Sequence, residues 1–218
     1  MKRTVILIAC MLVSLPLLGQ SIKAYGLKTG LSIASQSIEY PISDLKGPED
    51  NLNNICVGGF IEWQGKSKFS LLTEILYVKK GASEVFIVTG EDGPEPLGTE
   101  HWNYWIHYLS IPIAAKWNMS LSHYNFYALF GPRIDIRLGQ GNELTGYDFS
   151  DPLMDSSYDD YKKVDFGFDI GVGLELFTLP LFTLIAEYRF SPAITDVYDS
   201  DTLNIRNQSH EVMLGFMF

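Results

Sequence analysis

An all-β fold, an eight-stranded antiparallel up-and-down transmembrane β-barrel behind an N-terminal signal peptide, is what three features of the sequence predict. Segments of strict two-residue alternation recur along the chain. Their connections alternate between long and short, and the last segment ends on an aromatic residue at its apolar parity. Composition sets the frame: the 218 residues are 46% hydrophobic and 13% aromatic, and 19% are charged. That charge is below the roughly 25% usual for soluble domains. Such a chain has apolar surface to show to hydrocarbon.

The first element is a leader. Met1-Lys2-Arg3 precede an uncharged apolar run of 15 residues, Thr4–Leu18, and then Gly19-Gln20-Ser21. A basic start, a short apolar run and small residues after it describe a secretory signal peptide. The run is too short for a comfortable membrane-spanning helix. Cleavage is expected after Gly19 or Gln20, which divides the chain into a signal peptide, 1–20, and a barrel domain, 21–218. Cys10 follows Leu7-Ile8-Ala9 in a superficial lipoprotein pattern, but the apolar run continues beyond it, and the plain leader is preferred. Losing Lys2 and Arg3 takes the formal charge from −10 to −12. Nucleic acid is thereby excluded as a partner, because its phosphates demand a basic surface. Cys56 alone remains in the mature chain, so no internal disulfide forms, and no Cys/His spacing suggests zinc. No catalytic, cofactor-binding or metal residue is assigned.

The strands follow in order. The apolar parity of the first is Tyr25, Leu27, Leu31 and Ile33, and of the second Ile55, Val57, Ile61 and Trp63. The third has Phe69, Leu71, Ile75 and Tyr77, and the fourth Trp105, Leu109, Ile111, Ile113 and Trp117. In the fifth, Tyr124, Phe126, Ala128, Phe130, Ile134 and Ile136 alternate with Asn125, Tyr127, Gly131, Arg133, Asp135 and Arg137. The sixth opposes Phe166, Phe168, Ile170, Val172, Leu174 and Leu176 to Asp165, Gly167, Asp169, Gly171, Gly173 and Glu175. The seventh opposes Phe182, Leu184, Ala186, Tyr188 and Phe190 to Thr183, Ile185, Glu187, Arg189 and Ser191. The last shows Val212, Leu214, Phe216 and Phe218. Alternation of this kind is a strand with two chemically opposed faces. No second apolar run of helix-spanning length follows Leu18, so a membrane would be crossed by closed strands, which satisfy every backbone group.

The connections sort as a barrel in an outer membrane requires, with short periplasmic turns and long extracellular loops. Long connections are expected over 35–54, 81–101, 139–161 and 196–208, and short ones over 65–67, 118–123 and 179–180. The long ones hold most carboxylates, among them Glu39, Asp44, Glu84, Glu91, Asp92, Asp148 and Asp199. Tyr25, Trp63, Tyr77, Trp102, Trp105, Trp117, Tyr124 and Tyr188 are placed as interfacial girdles. Outer membrane lipid and lipopolysaccharide are the expected surroundings. The terminal strand ending on Phe218 is the expected signal for the outer membrane insertion machinery.

These stretches also carry a resemblance. Tyr108–Lys116, Asp165–Glu175, Glu187–Ser191, His210–Phe218 and the opening Gly26–Leu31 resemble the PorT-like outer-membrane β-barrel family of Gram-negative bacteria. The resemblance covers nearly the whole mature chain and implies an eight-stranded outer membrane barrel. One relative is associated with a protein secretion and gliding apparatus, but the matching motifs are structural and define no functional residues.

What could carry chemistry lies inside and at the rim. The inner parity collects Lys28, Glu62, Glu74, Lys116, Arg133, Asp135, Arg137, Asp165, Asp169, Glu175, Glu187, Arg189 and Glu211. An eight-stranded lumen is only wide enough for side chains to fill, so a salt-bridged plug is expected over an ion path or a catalytic carboxylate cluster. Gly58-Gly59 and Gly171/Gly173 are expected to relieve crowding in that lumen. The histidines are His101, His107, His123 and His210, and His107 shares the apolar parity of Trp105. In Ser209-His210-Glu211 neighbouring side chains point to opposite faces and form no triad. Asp148, Asp151, Asp155, Asp159 and Asp160 invite calcium, without EF-hand spacing. The expected function is a non-enzymatic barrel presenting acidic loops to a surface protein or glycan partner, for binding or assembly. A narrow channel for small solutes or ions, and a lipid-modifying enzyme, are the alternatives.

Overall fold

The computed structural model describes residues 21–39, 50–66, 68–89, 96–121, 124–145, 161–198 and 204–218. The expected signal peptide, His123 and the aspartate run 148–160 lie outside the described residues. The described chain is built of β1 (Ile22–Glu39), β2 (Asp50–Trp63), β3 (Phe69–Thr89), β4 (Pro96–Leu121), β5 (Tyr124–Thr145), β6 (Val164–Thr178), β7 (Thr183–Pro192) and β8 (Asn204–Met217). Each strand pairs antiparallel with the next, and β8 closes on β1 through Leu27↔Phe216 to Glu39↔Asn204. Closure removes every sheet edge, so no ladder of backbone groups is left facing hydrocarbon.

The alternation decides the two faces. On β1, Leu27 is 65% exposed while Lys28 beside it is 3% exposed. On β6, Phe166, Phe168, Ile170 and Val172 are exposed while Asp165 and Asp169 are buried. An apolar exterior around a charged interior inverts a soluble protein. Tyr25, Phe69, Trp117, Tyr124 and Phe218 ring the short-turn end of the outer wall, and Tyr25 stacks on Phe218 with centroids 5.9 Å apart.

Several boundaries differ from the sequence expectation. The connections expected over 35–54 and 81–101 are largely strand, because β1 runs to Glu39, β2 starts at Asp50, β3 runs to Thr89 and β4 starts at Pro96. β5 likewise continues through Leu138–Thr145, paired with β4 from His107↔Gly139 to His101↔Thr145. A polar strand needs no apolar face once both its neighbours supply ladder hydrogen bonds, so the alternation faded where the pairing did not. The short turns fall close to their expected places, at 64–68, 122–123 and 179–182.

The interior is layered. From the short-turn end upward, a charged layer of Glu62 and Lys116 is followed by an apolar one of Phe60, Leu72, Ala114, Tyr127, Leu129 and Ile185. A second charged layer holds Lys28, Glu74, Glu187, Arg189 and Asp169. Cys56, Leu76, Val78 and Met213 pack on one wall beside it. Lys80, Asp135, Asp165 and Glu211 lie above, and Ile106, Tyr108, Tyr161, Val197 and Ile205 close the far end. Tyr161 and Val197 come from the connections flanking β6 and β7, which fold inward over the mouth.

Candidate functional site

Arg189 organises the lumen. It stands on the inward parity of β7 and is fully buried. Its Nη1 donates to Glu74 Oε2 at 2.7 Å and to Asp169 Oδ2 at 2.9 Å, and its Nη2 donates to Glu187 Oε1 at 2.5 Å. Lys28 Nζ donates to Glu74 at 2.7 Å and to Glu187 at 3.1 Å, and Tyr127 Oη donates to Glu187 Oε2 at 2.9 Å. Arg133 extends the network, donating to Asp169 Oδ1 at 2.9 Å and lying 2.9 Å from Asp135, which Lys80 also holds at 2.7 Å. Nearer the short-turn end, Glu62 accepts from Lys116 at 2.8 Å, Ser70 at 2.7 Å and Lys23 at 2.5 Å. Charges removed from water persist only when paired and hydrogen-bonded in this way.

The glycines of β6 make room for it. A Cβ at Gly173 would strike the Tyr127 ring, which is how that phenol reaches Glu187. The expected relief of lumen crowding holds there and at Gly171, which backs onto Leu129. Gly59 differs. It belongs to the outward parity of β2, and a Cβ on it would meet only Gly26 O at 3.4 Å and Leu27 Cδ2 at 3.6 Å, ordinary contacts.

Of the inner charges expected from sequence, all are buried except two. Glu175 sits half-buried at the short-turn rim, accepting from Asn125 Nδ2 at 2.9 Å, and Asn125 is itself exposed there. Arg137 keeps the inner parity, opposite the buried Tyr108, but stands near the mouth where it is only half-buried, and its Nη1 donates to Gln140 at 2.6 Å. Lys80 is the inner charge that sequence reading missed, although it precedes the connection expected to begin at 81. The doublet Lys79-Lys80 at unbroken parity is the signal that could have found it.

Asp165 and Glu211 have no ion-pair partner among the described residues. Thr195 Oγ1 donates to Asp165 at 2.6 Å and Ser209 Oγ to Glu211 at 3.1 Å. The connection 193–198 that supplies Thr195 is pinned across the mouth. Ala193 N donates to Asn207 O at 2.8 Å, Ile194 N to Phe166 O at 2.8 Å, and Val197 N to Ile205 O at 2.8 Å. Arg206 Nε donates to Asp196 at 3.0 Å.

Among the described residues the histidines form no catalytic group with these acids. His107 points outward, its Nδ1 2.5 Å from Tyr77 Oη, and His210 points outward, its Nδ1 2.8 Å from Tyr188 Oη and its ring stacked on Phe190. Ser209 and Glu211 face the lumen on the other side of β8, so the tripeptide is split as its spacing requires. His101 is exposed far along β4, paired in register with Val85 and Thr145. Among the described residues no three His, Cys, Asp or Glu side chains converge as a metal site.

Beyond the mouth, β3, β4 and β5 continue as one sheet. From His107 to Pro96 is 11 residues of β4, paired on one side with β3 up to Thr89. At about 3.3 Å per residue that is roughly 36 Å of strand. These three strands make a blade standing above the wall.

The model of the family described as outer membrane protein beta-barrel domain matches residues 20–199. The chain belongs to that family, and the outer membrane is its location. Its surroundings are therefore phospholipid and lipopolysaccharide. Three solved structures are similar in fold. Ail, the attachment invasion locus protein of Yersinia pestis, solved with the heparin analogue sucrose octasulfate, is 11% identical, covers 89% of this chain and 98% of its own, and has a TM-score of 0.38. Neisserial surface protein A is 10% identical, with 87% and 95% covered and a TM-score of 0.39. OprG of Pseudomonas aeruginosa is 10% identical, with 92% and 98% covered and a TM-score of 0.41. No curated protein matches the chain.

Proposed function

We propose that this outer membrane protein beta-barrel domain protein is a non-enzymatic anchor. Its barrel holds the β3–β4–β5 blade and the acidic extracellular connections at the cell surface for binding or assembly. The observation that carries this reading is the stacked lumen. The Glu62 layer and the Arg189 layer are separated by Phe60, Leu72, Tyr127, Leu129 and Ile185, and the mouth is closed by Tyr108, Tyr161 and Val197. An ion would have to break buried pairs and then cross an apolar plug, which speaks against a channel. The blade is the part of the molecule that neither the bilayer nor the plug requires. It carries Glu84, Glu100 and Glu143, and the sequence between Thr89 and Pro96 adds Glu91, Asp92 and Glu95.

Export through a cleaved leader, 1–20, and insertion directed by the strand ending at Phe218 belong to the same proposal. The PorT-like resemblance makes a surface component of a secretion apparatus the first protein partner to test, ahead of a glycan. The test replaces 84–100 with a two-residue turn. The shortened protein is expected to remain a heat-modifiable barrel and to carry no current in planar bilayers, like the parent, while losing its crosslinks to neighbouring surface proteins on intact cells. Steady single-channel conductance from the parent would overturn the anchor reading, and unchanged crosslinks after shortening would overturn the role of the blade.

A further inference from the structure

The outer wall has two depressions in its periplasmic half. One, of 650 Å³, opens around Gly59 between Tyr25, Ile61, Thr73, Ile75 and Ile111. The other, of 620 Å³, lies between Trp117, Phe126, Ala128, Leu174 and Ala186. The outward side chains lining both are apolar except Thr73, whose hydroxyl accepts from Trp63 Nε1 at 2.9 Å. Both therefore face hydrocarbon, and either would take an acyl chain.

The charge beneath them differs. Under the first, the β2–β3 turn carries Lys66 and Lys68, both exposed and neither in an ion pair among the described residues. Lys23 stands on the adjoining strand with its ammonium on Glu62. Under the second, the β6–β7 turn is Leu179-Pro180-Leu181, without charge. From Ile61 to Lys66, and from Thr73 to Lys68, is five residues. Part of that stretch is turn, since β2 ends at Trp63 and β3 starts at Phe69, and tilted strands place the lysines about 10 Å below the depression. One leaflet of hydrocarbon is about half of the ~30 Å core. The lysines thus stand at headgroup depth when the depression stands at chain depth. Gly59 completes the case, because the barrel's own packing leaves space for a side chain there. A strand glycine where a side chain would meet only ordinary contacts, at the floor of such a depression, marks a place where another molecule can come close.

The geometry points to a site for an anionic phospholipid of the periplasmic leaflet, with its phosphate on Lys66 and Lys68 and one acyl chain in the depression over Gly59. The cations select the headgroup charge, and the depression fixes the chain. The second depression, lacking cations, holds chains without regard to headgroup.

The site is tested on the folded protein in nanodiscs of equal parts phosphatidylcholine and phosphatidylglycerol, released intact into a mass spectrometer to weigh the lipids retained. One phosphatidylglycerol is expected to stay in preference to phosphatidylcholine. Lys66→Gln and Lys68→Gln should each lower that preference about fivefold, the effect of one ammonium near an anionic surface. Gly59→Leu should abolish the retained lipid while the barrel stays heat-modifiable, and Ala186→Leu, in the other depression, should leave the preference unchanged. If Gly59→Leu does not fold, Ile75→Trp fills the same space from its rim. Equal retention of the two lipids, or a preference unmoved by both lysine changes, would overturn the site. Displacement of the lipid by free glycerol phosphate would also overturn it, by assigning the lysines to a soluble phosphate.

Discussion

The two sides of the barrel solve different problems. β7 has 10 residues and β6 has 15, while β3, β4 and β5 have 21, 26 and 22. A membrane strand needs about 9–11 residues. The β6–β7 side therefore ends where the bilayer ends, and its connections turn inward to seal the mouth. The β3–β5 side exceeds that need about twofold and spends the excess outside. Charge follows the same division. The short strand β7 supplies Glu187 and Arg189, the centre of the lumen network, whereas the acids of the blade are spread along its length. The network itself joins the two sides, since Glu74 stands on β3 and Tyr127 and Arg133 on β5.

The sharpest way to break this division is Arg189→Met. Glu74, Asp169 and Glu187 would each lose a buried charged donor, although Lys28, Arg133 and Tyr127 remain on them. Removing one partner from such a network costs about 3–5 kcal/mol. Urea titration of the folded protein in detergent, followed by the gel shift on heating, should show that loss. An unchanged midpoint would mean that the network is solvated and that the layered plug is open to water.

A smaller loss is expected from Ile170→Arg, midway along β6 on the lipid face, where the side chain is 51% exposed. Arginine at a bilayer midplane costs about 2–4 kcal/mol. Unfolding from phospholipid vesicles would show it. Tolerance of arginine would place Ile170 outside the hydrocarbon and move the belt along the barrel.

How much of this division was legible depends on which force wrote each part. Within the bilayer, lipid on one side and a crowded lumen on the other impose a two-residue period, and strands such as Asp165–Phe177 display it without interruption. The inner charges Lys28, Glu74, Asp169 and Arg189 could be read from that period because each sits at a fixed parity. Beyond the bilayer-spanning part the two-residue period is lost: 81–89 holds Val85-Phe86-Ile87-Val88 as an unbroken apolar run and 139–145 is polar and Gly-rich, so neither displays the alternation by which the other strands are read. Arg137 illustrates the boundary: it keeps its inner parity opposite Tyr108 but stands near the mouth, half-buried, just before the register shift. Which carboxylate each cation meets was not legible at all. Arg189 and Glu74 are 115 positions apart and meet only because the barrel closes. The inward fold of 193–198 was equally hidden, since Val197 has no alternating neighbours to announce its burial.

That inward fold gives the next test. Thr195→Val removes the hydroxyl that donates to Asp165 Oδ1 and accepts from Phe166 N at 2.9 Å. Asp165 Oδ2 has no hydrogen-bond partner among the described residues, so the carboxyl would be left bare in the mouth. Leaving a buried acceptor unsatisfied costs about 1–3 kcal/mol. The expected result is a lower urea midpoint together with faster amide exchange at Ala193, Ile194 and Val197. Unchanged exchange there would mean that Val197, packed with Ile106 and Tyr108, holds the mouth shut by itself.

The smallest effect sharpens the comparison most. Leu138→Arg makes on β5 the change that Ile170→Arg makes on β6, at a side chain of similar exposure, 58% against 51%. Leu138 lies beside the pair His107↔Gly139, where the wall passes into the blade. Arginine at an interface costs only about 0–1 kcal/mol, because the guanidinium reaches headgroup phosphates and water. If the blade stands clear of the hydrocarbon, the two arginine variants should differ by most of the midplane cost when unfolded from the same vesicles. Equal losses would put Leu138 as deep as Ile170. The long side would then lie along the membrane instead of rising from it, and its acids would face lipid headgroups where a partner was expected.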